Sequence, residues 1–189
     1  PGIQDYDDNG QLTTWPPTYL AATIGGMLAA QSDVAQPLTA KSIPVRGLET
    51  VARLADLDDL VSNGVLAVRY DSGRGYTITQ SLTTWTGDTR YARREISTMR
   101  AADATMKLIR NSVSGFIGSK LSDRAIDQIT NRVSQALKQA NVSGLIVGTP
   151  SNPAYKDLIV RNVGDSIYVD VSISPAIPIN YLLITAHIL

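Results

Sequence analysis

Six positions near the start, Asp5-Tyr6-Asp7-Asp8-Asn9-Gly10, place carboxylate, carboxylate and amide at alternate sites ahead of a glycine. That is the first half of a calcium loop, where oxygen ligands converge on the ion and the glycine makes a sharp turn. The second half departs from it. The twelfth loop position, which needs a bidentate glutamate, is Pro16, and no helical pattern precedes the run. The segment reads as an acidic turn in preference to a calcium site. Gly73-Arg74-Gly75 lacks the third glycine and the strand-to-helix setting of a dinucleotide loop. Gly115-Phe116-Ile117-Gly118-Ser119-Lys120 has the wrong spacing and the wrong Ser-Lys order for a phosphate loop. A hairpin turn and a helix end account for both.

His187 is the single histidine, and it stands in an apolar run. A Ser–His–Asp system needs a base held in place, and a strand at the end of the chain holds one poorly. We therefore read His187 as structural or interfacial. With one histidine and no cysteine, neither a zinc site nor a disulfide is expected. Arg90, Arg93, Arg94 and Arg100 fall on related helix faces, but Asp88, Glu95 and Asp103 dilute them. A solvated face or a salt-bridged subunit contact is expected there rather than a nucleic-acid site. No catalytic, cofactor-binding or metal-binding residue is assigned, and no enzyme is expected.

The elements around these residues follow from pattern. Asp8-Asn9-Gly10 marks a turn, and Pro16-Pro17 ends any strand. Thr18 is expected to cap a helix from Tyr19 to about Ala30, built from small apolar residues. Gly25-Gly26 weakens that helix, so close packing against another backbone is expected in compensation, with a loop as the alternative. Asp56 is expected to cap a short helix to Asn63, with Gly64 as its left-handed stop. Val65 to Tyr70 and Tyr76 to Leu82 read as strands joined through Asp71-Ser72-Gly73-Arg74-Gly75.

From Tyr91 to Ile117 the residues Ile96, Met99, Met106, Ile109, Val113 and Phe116 recur at helical spacing. The charged face carries Arg93, Arg94, Glu95, Arg100, Lys107 and Arg110. A second amphipathic helix, capped by Ser122 or Asp123, runs to about Ala140 along Ile126, Ile129, Val133 and Leu137. The pair should lie antiparallel on a sheet. Leu158 to Val163 and Ser166 to Ser174 form a hairpin, with Ile167, Val169, Val171 and Ile173 alternating inward. After Pro175 and Pro178, Ile179 to Leu189 reads as a final apolar strand. Left unpaired, such a strand is an aggregation hazard. It is either internal, which the residues alone favour, or it adds to another subunit's sheet.

The bulk numbers agree with a globular chain. Hydrophobic residues make up 43% and charged residues 18% of 189 positions, which argues against wholesale disorder. Seventeen basic residues balance seventeen acidic ones, so no basic excess points to nucleic acid or a membrane surface. No apolar run is long enough to span a bilayer. The absence of cysteine is consistent with synthesis in a bacterial cytoplasm. The chain opens on Pro1 rather than Met, so an excised fragment or processed product is expected.

The order of several short signatures resembles the contractile-tail sheath family, which forms the contracting outer tube of phage tails, R-type bacteriocins and related injection systems. The match begins at Asp8-Asn9-Gly10, Pro16-Pro17-Thr18-Tyr19-Leu20-Ala21-Ala22 and Gly25-Gly26-Met27. It continues through Asn63-Gly64-Val65, Tyr76-Thr77-Ile78, Leu82-Thr83-Thr84 and Arg100-Ala101-Ala102-Asp103. Phe116-Ile117-Gly118-Ser119-Lys120-Leu121-Ser122 and Ile167-Tyr168-Val169-Asp170-Val171 follow, and Ile177-Pro178-Ile179-Asn180-Tyr181-Leu182-Leu183-Ile184-Thr185 closes it.

The resemblance implies an α/β (α+β) fold: a mixed sheet with two long amphipathic helices, and a C-terminal β-rich domain ending in a strand-exchange arm. Residues 1–85 would be the C-terminal part of the sheath core and residues 86–189 the C-terminal domain, with the arm at about 179–189. It also implies that the N-terminal arm and early strands of the family precede this chain. The inter-subunit strand contacts would fall on Tyr181, Leu182, Leu183, Ile184, Thr185, Ala186, His187 and Ile188, which reverses the preference for an internal strand. The implied partners are further copies in a helical sheath, an inner tail tube protein, and baseplate and tail terminator proteins, with neither nucleic acid nor membrane insertion. The implied location is a phage tail or a contractile injection particle. Energy would be stored in subunit packing and released when rigid bodies repack. A soluble module that recruits a partner strand, and a hydrolase-like enzyme, are the competing classes.

Overall fold

The computed structural model describes residues 1–88, 90–180, 182, 184 and 185, the side chain of Tyr91 excepted. Packing divides the chain into two compact units. The first holds Pro1–Ile96 together with the chain from Pro178 onward, and the second is Ser97–Ile177. The α/β class is as the sequence predicts, with the β-structure of the described residues spread over three small antiparallel sheets.

In the first unit, β1 (Ile3–Tyr6) and β2 (Leu12–Trp15) form a hairpin in register Ile3↔Trp15 to Tyr6↔Leu12. β3 (Gly47–Leu48) pairs on the other edge of β1. Helix α1 (Pro17–Ala29) starts with Pro17 at its first turn, where a fixed φ and a missing N–H cost nothing. The cap position is Pro16, with no side-chain bond, so Thr18 lies inside the helix rather than capping it. α1 buries Leu20 and packs Ile24, Met27 and Leu28 against Ile3, Leu38, Ile43, Leu48, Val68 and Ile78. The glycine pair does not make the close packing expected of it. A Cβ at Gly25 or Gly26 would meet nothing within 4 Å, because both face away from this core.

A 3₁₀ turn (Leu54–Asp56) leads into α2 (Leu57–Ser62). The Asp56 side chain makes no cap bond, contrary to expectation, because Asp56 already belongs to the preceding turn. Gly64 does take the left-handed conformation, at φ 70°. β4 (Val68–Asp71) and β5 (Gly75–Ile78) pair as a hairpin, with Tyr70 and Tyr76 opposed edge to face at 5.3 Å.

The helix expected from Tyr91 to Ile117 is interrupted. α3 (Tyr91–Arg94) and α4 (Ile96–Val113) are separated by Glu95. There the backbone bridges to Leu82, with Thr83 N–H donating to Arg94 O at 2.7 Å and Ile96 N–H to Ser81 O at 3.0 Å. Glu95 is fully buried, not on a solvated face.

In the second unit, α4 buries Ser97, Thr98, Ala101, Thr105 and Ile109, while Met99 and Met106 are exposed. The face is rotated from the one the apolar pattern marks. Two of its hydroxyls are satisfied on carbonyls, Thr105 on Ala101 O at 2.8 Å and Thr98 on Ala176 O at 3.0 Å, while buried Ser97 Oγ has no partner among the described residues. α5 (Asp123–Val142) follows expectation, with Ser122 Oγ accepting from Ala125 N–H at 3.2 Å. It buries Ile129, Val133, Ala136, Leu137 and Ala140. β6 (Tyr155–Val163) and β7 (Ser166–Ile173) form the expected hairpin. Their inward residues Leu158, Val160, Ile167, Val169, Val171 and Ile173 share one core with α4 and α5.

Candidate inter-subunit surface

The residues that suggested chemistry are occupied with structure. Asp7 Oδ1 accepts from Asn9 N–H at 2.9 Å and Gln11 N–H at 2.8 Å, which closes the β1–β2 turn over Gly10 at φ 75°. Asp5 pairs with Arg46 at 3.3 Å, and that guanidinium lies 4.7 Å from the centroid of the Tyr6 ring. Asp71 Oδ1 accepts from Gly73 and Arg74 and shapes the β4–β5 turn. Gly115 to Lys120 forms a 3₁₀ turn and a bend after α4. This bend borders an open cavity of about 330 Å³ lined by Val113, Phe116, Leu121, Ile129, Ile167 and Val169. Among the described residues, no group of three His, Cys, Asp or Glu could hold a metal ion.

The arginine run splits into separate jobs. Arg90 bonds Asp88 at 3.1 Å, and Arg93 lies 3.8 Å from the same carboxylate and 5.1 Å from the Trp85 ring centroid. Arg94 donates to the Val61 and Ser62 carbonyls. Asp88 is held below the usual carboxylate range chiefly by the Arg90 backbone N–H; desolvation, the next largest effect, opposes this, and the Trp85 indole and the two arginines add smaller lowering effects.

Exposed apolar surface and open backbone make a different kind of site. β6 and β7 form a sheet of two strands, so each has an outer edge without a ladder partner among the described residues. Its solvent face carries Arg161, ion-paired with Asp170 at 3.2 Å and lying 5.3 Å from the Tyr168 ring centroid, beside exposed Ile159. The segment beyond the prolines exposes Ile179 by 85%, Leu182 by 80% and Ile184 by 82%. Burying such side chains is worth about 1.5–3 kcal/mol each, so this stretch has much to gain from a partner. Of the proposed contact residues, Leu182, Ile184 and Thr185 are described and form no strand. Tyr181, Leu183, Ala186, His187 and Ile188 lie outside the described residues.

Three residues of the first unit, Glu95, Gln80 and Asn180, form a cluster that residue type and spacing did not mark as a site. Buried Glu95 Oε1 accepts from Gln80 Nε2 and Asn180 Nδ2, both at 2.6 Å. The one local hint was an amide at 180 inside an otherwise apolar run.

The fold has counterparts of known structure. The chain superposes on the helical sheath of the anti-feeding prophage in its contracted state with a TM-score of 0.80, covering 99% of this chain and 54% of that one at 17% identity. The fold is that of contractile tail sheath proteins. The contracted sheath of the PVC extracellular contractile injection system matches at TM-score 0.77 over 98% of this chain and 54% of that chain, at 12% identity. A sheath tail protein from Listeria innocua matches at 0.72 over 92% of this chain and 41% of that chain, at 15% identity. In sequence, the tail sheath protein of Bacillus phage SP01 is 26% identical over 190 residues, 99% of this chain. A putative tail sheath protein of Enterococcus phage phiEF24C is 26% identical over 134 residues, 69% of this chain. The chain spans 32% of the length of the first of these relatives and 23% of the second. No family model matches. The sheath resemblance seen in short signatures thus holds in sequence and in fold.

Proposed function

We propose that this chain is part of a structural subunit that polymerises into a helical sheath around an inner tube and contracts to drive the tube through a target envelope. The observation that carries the reading is the likeness, along almost the whole chain, to sheaths solved in the contracted state. Work is done by repacking, so no hydrolysed ligand and no catalytic residue are needed. The two α/β units are the rigid bodies. The segment 179–189, in which Ile179, Leu182 and Ile184 are exposed, is the tether. Its backbone adds to the sheet of a neighbouring copy through main-chain hydrogen bonds, and its side chains fill apolar pockets there. The open edges of the β6–β7 hairpin offer such a neighbour the ladder it needs. The location is a phage tail or a contractile injection particle, and inner tube, baseplate and terminator proteins are the further partners.

The test is negative-stain electron microscopy of the full-length protein beside a version that stops after Asn180. Tubes or rings from the full chain and their loss in the truncation are expected. Tubes from both would remove the tether role. Monodisperse particles from both would leave a sheath-like fold acting as a strand-binding module.

A further inference from the structure

The Glu95 carboxylate is in the first unit and has no solvent exposure. One oxygen, Oε1, collects two side-chain amide donors, Gln80 Nε2 and Asn180 Nδ2, each at 2.6 Å. Asn180 is held at its other end too, where Oδ1 accepts from Thr39 Oγ1 at 3.2 Å. Thr39 Oγ1 in turn accepts from the Ser81 N–H at 3.1 Å. The stretches that carry these partners are joined by backbone bonds as well, through the Leu82–Glu95 bridge and the Ile96-to-Ser81 bond. Asn180 therefore docks onto a frame that exists without it.

Position in the chain gives this contact its meaning. The chain leaves the first unit after Ile96 and returns at Pro178. Glu95 and Asn180 stand just inside those two points, so their bond ties the outgoing chain to the returning one. Asn180 is also the second residue of the segment 179–189 read above as the tether, directly ahead of the residues that would contact a neighbour.

We propose that Glu95 is a positioning residue. It anchors Asn180 and so fixes the near end of the tether segment. This rests on the reading of that segment as an inter-subunit tether. When subunits repack, a pull along the tether reaches Asn180 first. There it meets hydrogen bonds to a carboxylate, which are about twice as strong as bonds between neutral groups. Burial raises the cost of breaking them, because each partner left behind is desolvated and unpaired. Among the described residues Glu95 Oε2 has no hydrogen-bond partner, so the clamp works through Oε1.

A charge-pattern exchange tests the clamp in the full-length protein. Paired nitroxide labels at Leu182→Cys and Asp58→Cys, both exposed sites of the first unit, report the position of the segment by their distance distribution. The 189 residues here contain no cysteine to compete for label. A narrow distribution is expected with Asn180 intact. Asn180→Asp keeps shape but sets two carboxylates against each other, and loss of the narrow distribution is expected. Adding Glu95→Gln restores a donor to the pair, and return of the narrow distribution is expected. A general structural role for either residue would not produce that rescue. An unchanged distribution in Asn180→Asp, or no recovery in the double variant, overturns the proposal. Asn180→Ala, which removes the donor without adding charge, should also broaden the distribution, and if it does not, the clamp is refuted even where Asn180→Asp fails to fold. Failure of the tether reading is separate, since it shows as tubes from the chain that stops after Asn180, which retains the clamp.

Discussion

Arg94 Nη2 donates to the carbonyl of Val61 at 3.2 Å and lies 3.4 Å from that of Ser62. These carbonyls belong to the last turn of α2, at the negative end of the helix dipole, and the Val61 carbonyl accepts the Gly64 N–H at 3.1 Å as well. A guanidinium from α3 thus closes a helix more than thirty positions earlier in the chain. Arg94→Ala should lower unfolding stability by about 1–2 kcal/mol, and Arg94→Lys should recover part of it. Urea midpoints of the three proteins check this.

Asp88 gives a pH dependence with a definite sign. Its folded pKa is depressed, chiefly by the Arg90 backbone N–H. The contribution to stability is therefore fully present above the ordinary carboxylate pKa of 3.8 and is lost as pH falls through the lower folded value. Asp88→Asn should flatten the stability profile in that acidic window and leave it unchanged near neutrality in slope. Thermal midpoints across the pH range, wild type against variant, read this directly.

α5 should respond very differently at its end and in its middle. Ser122→Ala removes the cap bond to Ala125 and should cost about 1 kcal/mol. Leu137→Ala empties a fully buried site in the core shared with the β6–β7 hairpin and should cost about 2–5 kcal/mol. Denaturant titration of both variants should preserve that order, and equal losses would count against the packing described.

Gly25 and Gly26 lie in the interior of α1 with open space where a Cβ would go. Gly25→Ala and Gly26→Ala should each raise stability by about 1 kcal/mol through helix propensity alone. A loss of stability in the isolated protein would mean that this face packs closely after all.

Local chemistry alone determined much of this protein. The β1–β2 and β4–β5 turns follow from Asp, Asn and Gly placed where positive φ or an Asx bond is needed. α5 and the β6–β7 hairpin follow from strict periodicity over long runs, because one face of each must be apolar to reach a core. The ordered series of short signatures carried the sheath resemblance.

Tertiary structure decided the rest, for reasons no window of sequence contains. The helix expected across 95 breaks because the backbone there finds a partner at Leu82, and the carboxylate of a residue marked as surface finds Gln80 and Asn180. The buried face of α4 carries hydroxyls, two of which, on Thr98 and Thr105, bond carbonyls, so apolar residue type alone points to the wrong stripe. The return of the chain at Pro178 into the first unit depends on contacts spanning 85 and 141 positions, from Asn180 to Glu95 and Thr39. Contacts at such separation are paid for by the closure of the whole intervening chain, and they leave no trace in the spacing of neighbours.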